Sequence, residues 1–291
     1  MTQIINALSE ISHRYDALFV DLWGCVHNGI RAYEAATEAL IQYRKSGGTV
    51  ILVTNAPRPW TDVEQHLAQL GVPNDAWDGI ATSGDSARAA MFTGAIGEKV
   101  WFMGDPSMDL GFFEEMHVID NPTPIEMVPL NQATGIACLG PFDPFADPAV
   151  NRADFLYAKQ KGLKLLCANP DIVVDRGERR EWCAGALAQL YTEMGGESLY
   201  FGKPHPPIYD LARMRLNALG KNVPNEGILA IGDGIQTDVR GAMGEDIDSL
   251  FLTGGLAAAE TATHDQPDPD LLSAYLNREN AAPQFTMGYL R

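Results

Sequence analysis

The sequence predicts an α/β protein whose core is a parallel sheet, with a second α/β domain inserted into it. Three observations predict this. Short, continuously apolar runs such as Ala17-Leu18-Phe19-Val20 and Gly227-Ile228-Leu229-Ala230-Ile231 read as strands buried on both faces, the pattern of a parallel sheet covered by helices. Near the N-terminus a strand, a helix and a strand follow one another, the order of a βαβ unit, which makes its two strands parallel. At 291 residues the chain exceeds one usual domain, and its middle changes character, with proline-rich turns at Asn121-Pro122-Thr123-Pro124 and Pro141-Phe142-Asp143-Pro144.

The strand from Ala17 to Val20 runs into Asp21 and is broken by the glycines that follow, Gly24 and Gly29. Asp21 is therefore expected at the C-terminal end of a strand, the edge at which open parallel sheets bind ligands. Apolar residues at Tyr33, Ala36, Ala39, Leu40 and Tyr43 form a helical stripe closed by Gly47-Gly48. Thr49 to Val53 is a second buried strand, running into Thr54-Asn55-Ala56-Pro57-Arg58, so Thr54 is expected near Asp21. A helix over Thr61 to Leu70 ends at Gly71, and a strand over Gly79 to Thr82 leads to Ser83-Gly84-Asp85.

Lys99 to Met103, Gly135 to Leu139 and Lys164 to Ala168 are strand candidates of the insertion. The expected division gives residues 1–85 and 197–291 to the core and 86–196 to the inserted domain. The core pattern is expected to resume with Ser198 to Phe201, which ends in Gly202-Lys203-Pro204-His205. A helix follows over about Ile208 to Leu219, then the strand Gly227 to Ile231, which ends in Gly232-Asp233 with Asp238 close behind. Ser249 to Leu252 is a further strand. The acidic, proline-bearing stretch Thr263 to Asp270 reads as a solvated loop before a last helix near Leu271 to Asn277.

Composition narrows the function classes. With 46% hydrophobic and 20% charged residues the chain has ordinary globular usage. No apolar run approaches the roughly 18 residues that span a bilayer. The N-terminus lacks the layout of a secretory signal, so a cytoplasmic protein with no membrane partner is expected. The four cysteines form no CxxC pair, so spacing indicates neither a zinc site nor a disulfide framework. A net charge of -17 repels nucleic acid. It leaves room for a small phosphorylated substrate, because a bound divalent cation dominates the field inside one site.

Asp21, Thr54, Lys203 and the pair Asp233 and Asp238 each fall just past a predicted parallel strand. Singly they read as turn acids, a cap hydroxyl and a surface lysine. Together they suit phosphoryl transfer. A carboxylate attacks phosphorus and forms an aspartyl-phosphate, splitting hydrolysis into two easier steps. A hydroxyl, a lysine ammonium and a hard cation neutralise the phosphoryl oxygens. Mg²⁺ prefers oxygen ligands and keeps several waters, so Asp21, Asp233 and Asp238 make a fitting partial shell.

On these residues the chain resembles the haloacid dehalogenase superfamily of aspartate-nucleophile phosphatases, in the class with a large α/β cap, that of the nitrophenyl-phosphatase and ribonucleotide-monophosphatase type. The resemblance covers essentially the whole chain and implies a Rossmann-like core with an inserted cap. It implies Asp21 as nucleophile and Mg²⁺ ligand, Thr54 and the Asn55 backbone as phosphoryl donors, and Lys203 as partner of Asp21 and the phosphoryl group. It also implies Asp233 as a direct ligand and Asp238 as a ligand or neighbouring acid. Asn169-Pro170-Asp171 and Ala184-Gly185-Ala186 likewise resemble that class, whose cap selects substrate, so Asn169 and Asp171 are expected on the substrate side. Arg58 reads either as reaching a substrate phosphate or as capping its loop. The implied substrate is a small phosphate monoester, such as a sugar phosphate or nucleoside monophosphate. A homodimer is compatible, since such caps often provide dimer surfaces.

One departure stands out. Where the family's phosphatases carry a second aspartate, two residues after the nucleophile, this chain has Trp23. In the family that position lends the metal its backbone carbonyl, which any residue supplies, so Trp23 stays in the expected metal set. The proton shuttle is lost from its usual place, and general acid-base catalysis is typically worth about 10² to 10⁴ in rate. His27, on the same loop, is expected either to take over proton transfer, its ordinary pKa of about 6.5 being suitable, or only to pack there. The alternatives are a slow or specialised phosphatase, a non-hydrolytic phosphometabolite-binding or regulatory protein, and a dehalogenase-like hydrolase. The lysine and the metal loop argue against the last. His205 reads as a turn residue and Cys25 as a buried, inert thiol.

Overall fold

The computed structural model describes residues 2–116, 119–176 and 179–291. Strands β1 (Gln3–Ile4), β2 (Ala17–Val20), β3 (Thr49–Thr54) and β4 (Gly79–Thr82) are followed by β5 (Lys99–Met103), β6 (Glu126–Met127), β7 (Gly135–Cys138) and β8 (Lys164–Cys167). After these come β9 (Val173–Arg176), β10 (Arg179–Trp182), β11 (Glu197–Tyr200), β12 (Ile228–Gly232), β13 (Asp248–Leu252) and β14 (Phe285–Met287). The helices are α1 (Glu34–Lys45), α2 (Trp60–Gln69), α3 (Ser83–Phe92), α4 (Arg152–Gln160), α5 (Ala184–Glu193), α6 (Pro206–Ala218), α7 (Arg240–Gly244) and α8 (Pro269–Glu279). By packing, the chain divides into two compact units. The first holds the residues up to Thr54, Glu64–Ala81 and Lys203–Arg291; the second holds Asn55–Val63 and Thr82–Gly202.

In the first unit a sheet of order β1-β14-β13-β12-β2-β3-β4 is built on β2, which lies parallel to β12 on one side and β3 on the other. All four residues of β2 and all five of β12 are buried, which is why neither strand shows apolar-polar alternation in the sequence. Phe19 and Ile51 pack on Ile208, Ala212 and Leu216 of α6. Phe251 packs with Leu272, Tyr275 and Leu276 of α8. Burying each such side chain stabilises the fold by about 1.5–3 kcal/mol. Because β2, β3 and β12 run parallel, Val20, Thr54 and Gly232 end on one edge, and the ladder continues one residue further through Asp21 N–H to the Ile231 carbonyl at 2.8 Å.

The second unit carries a sheet of order β11-β8-β7-β5-β6, parallel in its pairings, and a separate antiparallel hairpin of β9 and β10. Its core joins Ile136 and Leu165 to Phe155, Leu187 and Tyr191. Helix α3 is capped by Thr82, whose Oγ1 accepts the Asp85 N–H at 2.9 Å.

Strand β11 corrects the sequence reading, which gave Ser198 to Phe201 to the resumed core. Leu199 instead pairs with Leu166 of β8 in the second unit's sheet. The burial of β11 is that of a sheet-edge strand, exposed and then half-buried, unlike the continuous burial of β2. A four-residue run of that kind carries no mark of which sheet receives it. Packing also places Asn55–Val63 with the second unit, ahead of the range expected for the insertion. Among the described residues no helix is long and apolar enough to cross a membrane.

Candidate active site

The loop leaving β2 turns sharply because Gly24 has φ +73°, a conformation other residues rarely adopt. A Cβ at Gly24 would collide with the Asp233 carboxylate, and so would one at Gly255. Two glycines thus let the main chain close around Asp233, whose Oδ2 accepts the Leu256 N–H at 3.1 Å. Beside this loop lies a cleft of about 370 Å³ lined by Gly24, Cys25, Arg31, Tyr33, Glu34 and Tyr289, among others.

Lys203 stands between two carboxylates. Its Nζ donates to Asp21 Oδ1 at 2.5 Å and to Asp238 Oδ1 at 2.7 Å. Asp238 Oδ2 in turn accepts the Gly234 N–H at 3.0 Å, within a π-helical turn over Ile235–Val239. Asp21, Lys203, Asp233 and Asp238 are each at most 9% exposed. Burial works against the Lys203 charge, yet Asp21 and Asp238 overcome it and hold the ammonium well above its ordinary pKa. Burial, reinforced by Asp21 and Asp238, pushes Asp233 well above the carboxylate range. Burial raises Asp238 to about 6, with the Lys203 charge pulling the other way.

Three buried carboxylates therefore face one buried ammonium. That imbalance is what a divalent cation would correct, and the donor set, carboxylate oxygens closely held around Asp21 and Asp233, fits a hard cation.

Trp23 and His27 lie together on the loop. The indole meets the His27 imidazole edge to face, with centroids 5.1 Å apart, and covers Gly29, where a Cβ would strike it. His27 is 2% exposed, its Nδ1 accepts the Gly29 N–H at 3.0 Å, and its ring also meets that of His66 of α2, with centroids 6.1 Å apart. Burial, with a smaller push from His66, lowers its pKa to about 4, so it is neutral at neutral pH. The structure thus places His27 in a packed aromatic cluster.

Thr54 ends β3 and is 2% exposed. The remaining expected substrate-side residues belong to the second unit. Asn55 Nδ2 donates to Asp171 Oδ1 at 2.8 Å, and Asn169 Oδ1 accepts the Asp171 N–H at 3.0 Å. Arg58 Nε lies 4.0 Å from Asp109 Oδ1. Sequence reasoning missed the pair that braces this loop. Asp85 Oδ1 binds Arg88 at 3.1 Å and Oδ2 accepts the Trp60 N–H at 3.3 Å. Arg88 also donates to the carbonyls of Phe112 and Glu114. An acid three residues after Thr82 signals a helix start, but nothing in the sequence marks Arg88.

The family described as haloacid dehalogenase-like hydrolase matches residues 18–117, and a second description, HAD-hydrolase-like, matches residues 200–278. A solved hydrolase of the haloacid dehalogenase-like family from Brucella suis is 36% identical, superposes with a TM-score of 0.85, and is matched over 99% of this chain and 100% of its own. D-glycerol 3-phosphate phosphatase of Mycobacterium tuberculosis is 25% identical over 269 residues, 89% of this chain and 69% of its own length. A solved glycerol phosphate phosphatase from M. tuberculosis, in complex with magnesium, shares the fold with a TM-score of 0.65 and 22% identity, covering 97% of this chain and 77% of its own.

Proposed function

Because this chain belongs to the haloacid dehalogenase-like hydrolase family, we propose that it is a divalent-cation-dependent phosphatase that hydrolyses a small phosphate monoester through an aspartyl-phosphate on Asp21. The observation that carries this reading is Lys203 bridging Asp21 and Asp238 beside the buried Asp233. The relatives named as phosphatases of glycerol phosphate support an alkyl phosphate of that size as substrate.

In this reading the Asp21 carboxylate attacks phosphorus, and the bond from phosphorus to the ester oxygen breaks, its electron pair leaving with that oxygen. Water then attacks the aspartyl-phosphate and releases inorganic phosphate. Lys203 orients Asp21 and offers positive charge to the transferred group, and Asp238 keeps Lys203 in place. Asp21, Asp233, Asp238 and the Trp23 backbone carbonyl are the residues to hold Mg²⁺, which when bound supplies charge neutralisation at the phosphoryl oxygens. Thr54 serves as a phosphoryl donor, and Asn55, Arg58, Asn169 and Asp171 are the residues proposed to select the substrate.

Trp23 carries no acidic group to protonate a leaving oxygen, and a neutral His27 with Nδ1 engaged is a packing residue here. Leaving-group protonation therefore rests on solvent or substrate, and alkyl esters should react more slowly than activated ones. Trp23 also favours a second reading, a phosphometabolite-binding protein without turnover. One experiment separates them: phosphate release from p-nitrophenyl phosphate and from glycerol phosphate, with Mg²⁺ and with EDTA, in wild type and Asp21→Asn. Nitrophenolate leaves without a proton, so this ester tests nucleophile and metal alone. Metal-dependent release reduced at least about 10³-fold in Asp21→Asn is expected. No release from folded, Mg²⁺-binding wild type would leave the binding reading.

A further inference from the structure

The loop after β2 brings a soft donor to the hard ones. Cys25 Sγ lies 3.9 Å from Asp21 Oδ2, and Sγ and one oxygen each of Asp21 and Asp233 all lie within 4.8 Å of one another. Cys25 is 1% exposed as a residue, yet it lines the cleft beside Arg31 and Tyr33. Gly24, whose missing side chain admits the Asp233 carboxylate, is its immediate neighbour, so the close approach of sulfur and carboxylates is built into the turn.

We infer that this centre also takes a thiophilic divalent cation, of the zinc, cadmium or cobalt class, with Cys25 Sγ as a third ligand beside the carboxylates of Asp21 and Asp233. The inference rests on the reading of Asp21 and Asp233 as metal ligands. Mg²⁺ takes oxygen donors and leaves the thiol protonated. A thiophilic cation forms a bond to sulfur, the thiol proton passes to solvent, and no oxidation state changes. The two cation classes therefore engage Asp21 differently. The thiophilic class holds the nucleophile in a sulfur-bearing shell, competes with Mg²⁺ and suppresses turnover.

The test is Co²⁺ titration of the reduced full chain, followed by thiolate-to-cobalt charge-transfer absorption in the near ultraviolet, with Cd²⁺ affinity measured by calorimetry. The expected result is an absorption saturating at one ion per chain, absent in Cys25→Ser. It should persist when Cys138, Cys167 and Cys183, all buried in the second unit, are replaced. Cys25→Ser should weaken Cd²⁺ binding at least about tenfold while changing Mg²⁺ binding less than about twofold. Co²⁺ that binds wild type in an Asp21-dependent way without the absorption overturns the inference and leaves the Mg²⁺ reading standing. Wild type that binds neither Co²⁺ nor Mg²⁺ overturns both. Since the decisive spectrum is that of wild type, the outcome does not depend on the variant folding.

Discussion

The first unit buries Asp21, Asp233 and Asp238 around Lys203, whereas the second buries Asp85 against Arg88, one acid to one base. In the balanced pair each guanidinium nitrogen of Arg88 donates a hydrogen bond. Arg88 reaches Asp85 and two carbonyls, and Asp85 also holds a backbone N–H. In the other, carboxylates outnumber the cation, and Asp233 is driven well above the carboxylate range. A buried acid matched to its base stays charged and serves the fold; buried acids in excess of their base push one another's pKa up.

The comparison is broken most directly at Arg88. Arg88→Met leaves the Asp85 carboxylate buried without its cation and should cost about 3–5 kcal/mol in urea unfolding. A loss under about 1 kcal/mol would mean that the Asp85–Arg88 pair does not brace the loop.

His27 sharpens it as a buried group kept neutral. Its pKa is lowered to about 4 from 6.5, so between those values the unfolded chain binds the proton more tightly. The His27 contribution is complete above pH about 6.5, declines as pH falls towards about 4, and amounts to about 3 kcal/mol at its full extent. Unfolding of wild type and His27→Gln across this range should show a shallower acid slope in the variant. Parallel slopes would contradict the buried, neutral imidazole.

The smallest expected effect has the opposite sign to that at Arg88. Asp233→Asn removes one of the crowded carboxylates while an amide oxygen can still accept the Leu256 N–H. Without metal the variant should be more stable than wild type by about 1 kcal/mol. Mg²⁺ should raise the melting temperature of wild type and not of the variant. A destabilised metal-free Asp233→Asn would show that the excess charge is already compensated.

Much of the first unit was legible because its strands are buried on both faces. β2, β3 and β12 appear in the sequence as uninterrupted apolar runs, and each ends at a polar residue that has no reason to follow a core strand, namely Asp21, Thr54 and the Gly232-Asp233 step. β11 was misassigned because an edge strand is patterned by its local exposure, and Arg88 went unread because, beside Asp85, its two carbonyl partners, Phe112 and Glu114, lie 24 and 26 positions away. His27 was legible as a loop residue, but its packing was not, since His66 comes from another helix.

By itself, then, the sequence determined the parallel α/β core and the placement of Asp21, Thr54 and Asp233 at the ends of its strands, because burial and strand polarity are written in local residue pattern. Only the tertiary structure decided that Lys203 also bonds Asp238, that Cys25 turns its sulfur towards Asp21, and that Asn55 bonds Asp171. Those pairings span 35 positions for Lys203 with Asp238 and 116 for Asn55 with Asp171. Contacts at such separation follow from how sheets and turns pack, and no short stretch of sequence encodes them.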